Sequence, residues 1–350
     1  MPLLLPNTRH AAAWPAGGGV RSSRPGTTSL GSILVLVSLA CGACNSGGMI
    51  GSVGPPGIWS LVSVPTTKRL TSVRGSGPTD VWILAHDTIL RWDGLKWNSV
   101  PDSGVGYAYA VVGGVGLWVN APNDVWVGVG QKFADHWTGA PPWTAASLSD
   151  NRAARALWGS GPSDVWTSDC AAGYLGHWNG TVWSHLESID NGRAIWGSGS
   201  GDVWMIEGYC DGFSVDSGPS SLIHWKGISG NYIAGKDTQF TSSHNLQAIW
   251  GSGTSDIWAV GDSGAIVHYN GTAWSQSTNS PTAVGLHGVW GTRPDDVWVV
   301  GDGGVILHFD GSRWSQSVSP TTRALRSAWG SSSGDVWAVG DSGTVVRLTR

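Results

Sequence analysis

The phrase "GDVWAVGDSGTVVRLTR" (Gly334–Arg350) decides the fold. It occurs twice upstream, as "SDIWAVGDSGAIVHYNGTAWSQS" (Ser255–Ser277) and "DDVWVVGDGGVILHFDGSRWSQS" (Asp295–Ser317). Both upstream copies run on through Gly-x-x-Trp-Ser-Gln-Ser, and the last does not. Alignment on Asp-Val/Ile-Trp gives seven anchors: Asp80, Asp124, Asp164, Asp202, Asp256, Asp296 and Asp335. Their spacings are 44, 40, 38, 54, 40 and 39 residues. A period near 40 marks a solenoid or a propeller. Each copy reads as four short strands: one ending in Trp-Gly ("LQAIWGS"), then "DIWAVG", "GAIVHYN" and "TAWSQS". Gly-, Ser- and Asp-rich joints suit short hairpin turns, and no segment has an amphipathic helical period. Four antiparallel strands per repeat make a propeller blade. The seventh copy lacks its fourth strand. "IWSLVSVP" (Ile58–Pro65) resembles "RWSQSVSP" (Arg313–Pro320) and precedes the first copy's own first strand. Pairing it with Val345–Leu348 would complete the last blade from both ends and remove the open edges of an unclosed array. The expected fold is all-β: a seven-bladed β-propeller over residues 58–350, closed by its N-terminal strand.

Composition agrees. The 53 glycines have no three-residue period, which excludes collagen; between alternating apolar residues they read as turns. Net charge is −4, only 13% of residues are charged, and there is no basic block, so nucleic acid is not an expected partner.

Residues 1–44 read differently. "GSILVLVSLA" (Gly31–Ala40) is too short to span a membrane but suits the core of a signal peptide, with Arg21 and Arg24 as its positive flank. Ser38-Leu39-Ala40 before Cys41, and Cys41-Gly42-Ala43 before Cys44, both give small-x-small cleavage patterns. A cysteine after such a site resembles a bacterial lipobox, which would put a lipid on Cys41 or Cys44. The expected organisation is a leader over 1–44, a linker over 45–57 and the propeller. The protein is expected to be exported, as a cell-surface lipoprotein or an extracellular monomer, touching membrane only through that anchor.

The repeated side chains have structural readings first. Of 24 tryptophans only Trp14 falls outside the repeat, so packing between blades is the default, ahead of sugar stacking. His136, His177, His224, His268 and His308 share one third-strand position, which Arg91 and Arg347 take in the outer copies. Equivalent positions around a ring diverge and do not converge on one ion, whereas a metal needs its ligands within about 2 Å. These histidines are expected to hydrogen-bond a neighbouring polar group such as the anchor Asp. The anchor aspartates read as turn residues accepting backbone N–H groups.

The Gly-Asp/Gly-x-Gly and Asn/Asp-Gly-x-x-Trp elements resemble kelch repeats. "DVWAVGDSGTVVRL" (Asp335–Leu348) is similar to tectonin repeats, many of them from lectins, and "NGTAWS" distantly resembles the Asp-box (BNR) turn of sialidases. The overall texture is similar to exported Trp/Gly-rich propellers of myxobacterial type. The resemblance implies a fold and leaves chemistry open, because propellers host many activities.

Function is expected where the chain departs from its repeat. The fourth copy carries "IEGYCDGFSVDSGPSS" (Ile206–Ser221) and "ISGNYIAGKDTQFTSSHN" (Ile228–Asn245), with no Gly-x-x-Trp strand in view; the third carries "TSDCAAGYLG" (Thr167–Gly176). The candidate binding surface is Asp169, Tyr174, Tyr209, Asp211, Phe213, Asp216, Tyr232, Lys236 and Asp237. Cys170 and Cys210, in matching loops of adjacent blades of an exported protein, suggest a disulfide. No nucleophile elbow or His-Glu-x-x-His pair appears. Glu187 and Glu207 are the only glutamates and their spacing does not pair them as glycosidase carboxylates, while the arginines look scattered. Calcium at Asp211 and Asp216 is suggested only weakly by nearby glycines; no cofactor is expected. The reading is a non-catalytic binding propeller for a protein or glycan ligand, with a divergent carbohydrate-active hydrolase as the alternative.

Overall fold

The computed structural model describes residues 57–86, 88–101, 116–129, 133–147, 154–169, 174–188, 192–208, 218–225, 228–229, 232–233 and 237–350. They form seven four-stranded antiparallel sheets. Blade I comprises Leu70–Gly77, Asp80–Ala85, Ile89–Trp92 and Trp97–Val100. Blade II comprises Leu117–Ala121, Asp124–Val129, Phe133–Trp137 and Thr144–Ser147; blade III comprises Ala156–Gly161, Asp164–Asp169, Tyr174–Trp178 and Trp183–Ser188. Blade IV comprises Gly192–Gly199, Asp202–Gly208, Ser220–Trp225 and Asp237–Ser242. Blade V comprises Leu246–Gly253, Asp256–Gly261, Ile266–Tyr269 and Trp274–Gln276; blade VI comprises Leu286–Arg293, Asp296–Gly301, Ile306–Phe309 and Trp314–Gln316. Blade VII takes Leu325–Ser332, Asp335–Gly340 and Thr344–Thr349 from the C-terminal end and Ile58–Leu61 from the N-terminal end. The predicted closure is present in register, with Trp59 opposite Leu348 and Leu61 opposite Val346. The first strands of successive blades contact one another all the way round, including blade VII against blade I, so they form the inner wall of a closed ring.

Two features hold neighbouring blades together. In the first, the second-strand tryptophan of one blade meets the third- and outer-strand aromatics of the next. Trp126 lies 5.1 Å from Trp178 and 5.4 Å from Trp183, and Trp258 lies 5.0 Å from Phe309 and 5.3 Å from Trp314. Trp337 of blade VII meets Trp92 and Trp97 of blade I in the same way, across the closure. Burying such a ring contributes about 4–6 kcal/mol before chain entropy is counted. In the second, the first-strand tryptophan covers a glycine of the next blade. A Cβ at Gly75, Gly159, Gly197, Gly251, Gly291 or Gly330 would sit 2.6–2.7 Å from the ring of Trp329, Trp118, Trp158, Trp196, Trp250 or Trp290 respectively. That is why the first strands of blades III to VII read Trp-Gly.

Blade I breaks this rule and blade II compensates. Arg74 stands where the tryptophan would be. Its guanidinium turns back toward blade VII, donating to the carbonyl of Ala328 and the hydroxyl of Ser327, and burial lowers its pKa to about 10. In blade II the glycine is replaced by Val119, which packs against the cluster around Trp82, Leu84 and Trp137. A larger residue occupies the space the missing ring leaves.

Two sequence expectations are refined. The first strands do not stop at Trp-Gly but run two residues further, to a tight turn before the anchor Asp. The outer strand of blade IV exists as Asp237–Ser242, pairing with Ser220–Trp225. It was invisible in the sequence because it carries no Gly-x-x-Trp signature; its one ring, Phe240, sits opposite Leu222 and lies 6.3 Å from Trp274 of blade V.

Candidate ligand-binding face

The repeated polar residues form structural hydrogen-bonded sets inside the blades. In each set the anchor aspartate opens the second strand. One carboxylate oxygen receives the histidine Nε2, at 2.7–2.8 Å for His136, His177, His268 and His308; His224 bonds Asp202 likewise. Arg91 and Arg347 donate to Asp80 and Asp335 at 2.8 and 2.7 Å. The other oxygen accepts from the side chain four residues upstream: the amide of Asn120 in blade II and a hydroxyl elsewhere, such as Ser252 on Asp256 at 2.6 Å. The expected donor to these aspartates was the backbone N–H; the donors are side chains, brought in by strand register. Each histidine also lies over a tryptophan, with His224 stacked on Trp204 at 3.9 Å and His268 on Trp258 at 3.9 Å. Arg347 covers Trp337 at 4.4 Å, a cation–π contact. Burial pushes Asp164, Asp256 and Asp296 upward, but the hydrogen bonds from histidine and hydroxyl outweigh it and hold all three below the ordinary carboxylate range.

Strand direction then sorts the candidate residues. The anchor turns lie at one end of each blade. The turns from second to third strand, and the connections entering the next blade, lie at the other, the entry face. Asp169 and Tyr174 face each other across blade III at the entry end. Asp237 is paired with His224, near the anchor turn of Asp202. Tyr232 lies in a small hairpin, Ile228–Ser229 with Tyr232–Ile233, inside the connection that follows Trp225. That hairpin contacts the outer strand of blade III. The predicted surface is therefore two surfaces: Tyr232 and Asp237 belong to the end opposite Asp169 and Tyr174. Tyr209, Asp211, Phe213, Asp216 and Lys236 lie outside the described residues, as do Cys170 and Cys210, expected to form a disulfide, and Cys41 and Cys44, the expected lipidation positions. Among the described residues no group of three or more His, Cys, Asp or Glu is placed to hold a metal ion, and no helix is long and apolar enough to cross a membrane.

The entry face carries a second polar constellation, at the seam where blades VI, VII and I meet. First strands begin there with a β-bulge whose extra residue is Thr71, Arg193, Gln247, His287 or Arg326. Bulges re-aim side chains. Arg326 makes a forked pair with Asp341, Nη2 to Oδ2 at 2.8 Å, and its Nη1 reaches Asp302 at 3.3 Å and His287 at 2.8 Å. Arg69, entering blade I, pairs with Asp341 at 3.2 Å. Arg323 donates to the carbonyl of Ser342 at 3.1 Å, and exposed Lys68 accepts the N–H of Gly343 on its own carbonyl at 2.7 Å. Burial lowers the His287 pKa against the opposing pull of Asp302, helped by the charge of Arg326. The hydrogen bond from Arg326 holds Asp341 low, against burial. Ring closure thus brings Arg69 to Arg323 and Arg326, far from it in sequence. The detectable trace is the loop before the first strand, Thr-Thr-Lys-Arg-Leu (66–70) in one copy and Thr-Thr-Arg-Ala-Leu (321–325) in the adjacent one.

No protein-family model matches the chain, and no curated protein matches it in sequence. Among solved structures it is similar to YCF48 bound to D1 peptide, with a TM-score of 0.66 and 19% identity, over 84% of this chain and 99% of that one. It is also similar to a catalytically inactive virginiamycin B lyase from Staphylococcus aureus with quinupristin, with a TM-score of 0.67 and 11% identity, over 84% and 99%. The WD40 propeller domain of Doa1 aligns with a TM-score of 0.63 and 10% identity, over 84% and 97%. At these identities the likeness is one of fold, shared by proteins with different activities.

Proposed function

We propose that this protein is a non-catalytic binding propeller, exported and lipid-anchored or free outside the cell, that recognises a protein or glycan ligand through its entry face. One observation carries the reading. The repeated aspartates, histidines and tryptophans, the residue types from which a catalytic or sugar-stacking site would be drawn, are engaged within and between blades. What varies from blade to blade is the connections on a rigid frame, among them those between second and third strands at the entry face, the usual location of binding residues. The neighbours of this fold include one solved with a peptide, which supports binding as a use of the scaffold.

The test is a glycan array and crosslinking on intact cells with the periplasmically expressed chain, each scored for binding and for turnover. The expected result is a ligand bound without chemical change, with binding weakened when residues 209–217 are replaced by a Gly-Ser turn. Hydrolysis of a bound glycan, abolished by Asp211→Asn or Asp216→Asn, would overturn it in favour of a carbohydrate-active hydrolase.

A further inference from the structure

Beside the seam constellation lies an open groove of about 580 Å³, within the range of sites that hold small molecules or the side chains of a docked chain. Its walls are the closing strand and its exit (Leu61, Val62), the connection from blade VI (Ser319–Arg323) and the start of blade VII's third strand (Gly343–Val345). Leu61 is 61% exposed although it belongs to a strand that closes the ring, and Val318, next to the groove wall, is 90% exposed. Apolar side chains this open at the rim of a groove invite a partner more than isolated ones do. Hydroxyls of Ser319, Thr321 and Thr322 alternate with this apolar surface.

Charge adds the second observation. Lys68, Arg69, Arg323 and Arg326 enter the seam from two adjacent blades, and the carboxylates that face them among the described residues are Asp302 and Asp341. Four cations against two carboxylates leave this seam positive in a chain whose net charge is −4. Lys68 and Arg323 are exposed, and Arg323 makes its bond to a carbonyl, not to a carboxylate. The groove has aliphatic residues and hydroxyls but no aromatic ring among its lining residues, so it offers no stacking platform for a sugar face.

We propose that this groove is a docking site for an acidic peptide segment of a partner protein, which lays an aliphatic side chain against Leu61, Val62 and Pro320 and presents carboxylates to Arg323 and Lys68. The proposal rests on the binding reading above and assigns it a site and a ligand class. Arg326 and Arg69, held by Asp341, set the field and the shape of the rim; Arg323 and Lys68 make the contacts. Such charge complementarity sets which partner docks and how fast, and it weakens with salt.

The test is fluorescence anisotropy of the full chain with a fluorescein-labelled dodecapeptide of alternating Glu and Leu, and with a Lys/Leu peptide of the same length. The acidic peptide is expected to bind, less tightly as salt is raised, and the basic one not to bind. Lys68→Glu with Arg323→Glu should weaken binding by about tenfold or more; Leu61→Asp, at an exposed position, should do the same. Arg313→Glu, an exposed charge reversal in an anchor-end turn, should leave it unchanged. Absence of acidic-peptide binding, or equal binding to the seam-reversed protein, overturns the proposal; a ligand still found by array or crosslinking would leave the wider binding reading standing. Binding of polygalacturonate through Lys68 and Arg323 in preference to the peptide would overturn the peptide class.

Discussion

A single aspartate in each blade organises the side chains around it. Asp256 gathers His268 and Ser252 and lies two residues before Trp258, over which His268 stacks. The hydrogen bonds contribute about 1 kcal/mol each, against several for the tryptophan, so the rings carry stability and the polar atoms fix register. His268→Leu keeps apolar contact with Trp258 but removes a donor from a half-buried carboxylate. It is expected to lower the unfolding free energy by about 1–3 kcal/mol in urea titration, with unchanged m-value. The histidine's partner was readable in the sequence because an aspartate opening the second strand and a histidine in the third recur together in five copies. The identity of the aspartate's donors was not, because a hydroxyl four residues upstream reaches it only once the turn between first and second strands has formed.

Between elements the informative feature is the Trp-Gly lock and its one exception. The sequence showed that Arg74 breaks the tryptophan pattern, but nothing local linked that to Val119, because the two positions meet only when neighbouring blades pack. A double-mutant cycle tests the coupling. Arg74→Trp alone should clash with Val119, and Val119→Gly alone should leave a void beside Trp82; each is expected to cost about 1–3 kcal/mol. The double variant should recover at least about 1 kcal/mol of the summed loss in chemical denaturation. Additive losses would show that Val119 fills no space vacated by a ring. The outer strand of blade IV illustrates the opposite difficulty: its tryptophan signature is absent, and only pairing of Leu222 with Phe240 reveals it.

For the molecule as a whole, closure and pH are the levers. Trp59 is 6% exposed and meets Trp298 edge-on at 5.4 Å. Trp59→Ala is expected to cost about 3–5 kcal/mol and to broaden the thermal transition as blade VII loosens first. Acid should act in two stages. His287 has a folded pKa below its ordinary 6.5, so the unfolded chain takes up its proton first and stability falls as pH drops below 6.5. Asp164, Asp256 and Asp296 are held below their ordinary 3.8; their contribution is present above that value and is lost as pH falls through the lower folded values. Melting temperature against pH should show both steps, and His287→Gln should erase the first alone. Blade number, the four-strand blade and the two-ended closure were readable from the repeat, apart from the outer strand of blade IV. The seam was not, because Arg69 and Arg326 are neighbours only in a closed ring.

Closure also sets a schedule for synthesis. Ser60 and Arg347, hydrogen-bonded across blade VII, are 287 residues apart in the chain. At a ribosome's ~5–20 residues per second, the closing strand waits about 15–60 s for its partner. Throughout that interval the growing array has two open sheet edges, and Trp59 has no ring to cover it. The open array is a sticky intermediate for that whole interval, and the strand Thr344–Thr349 decides whether it becomes a ring.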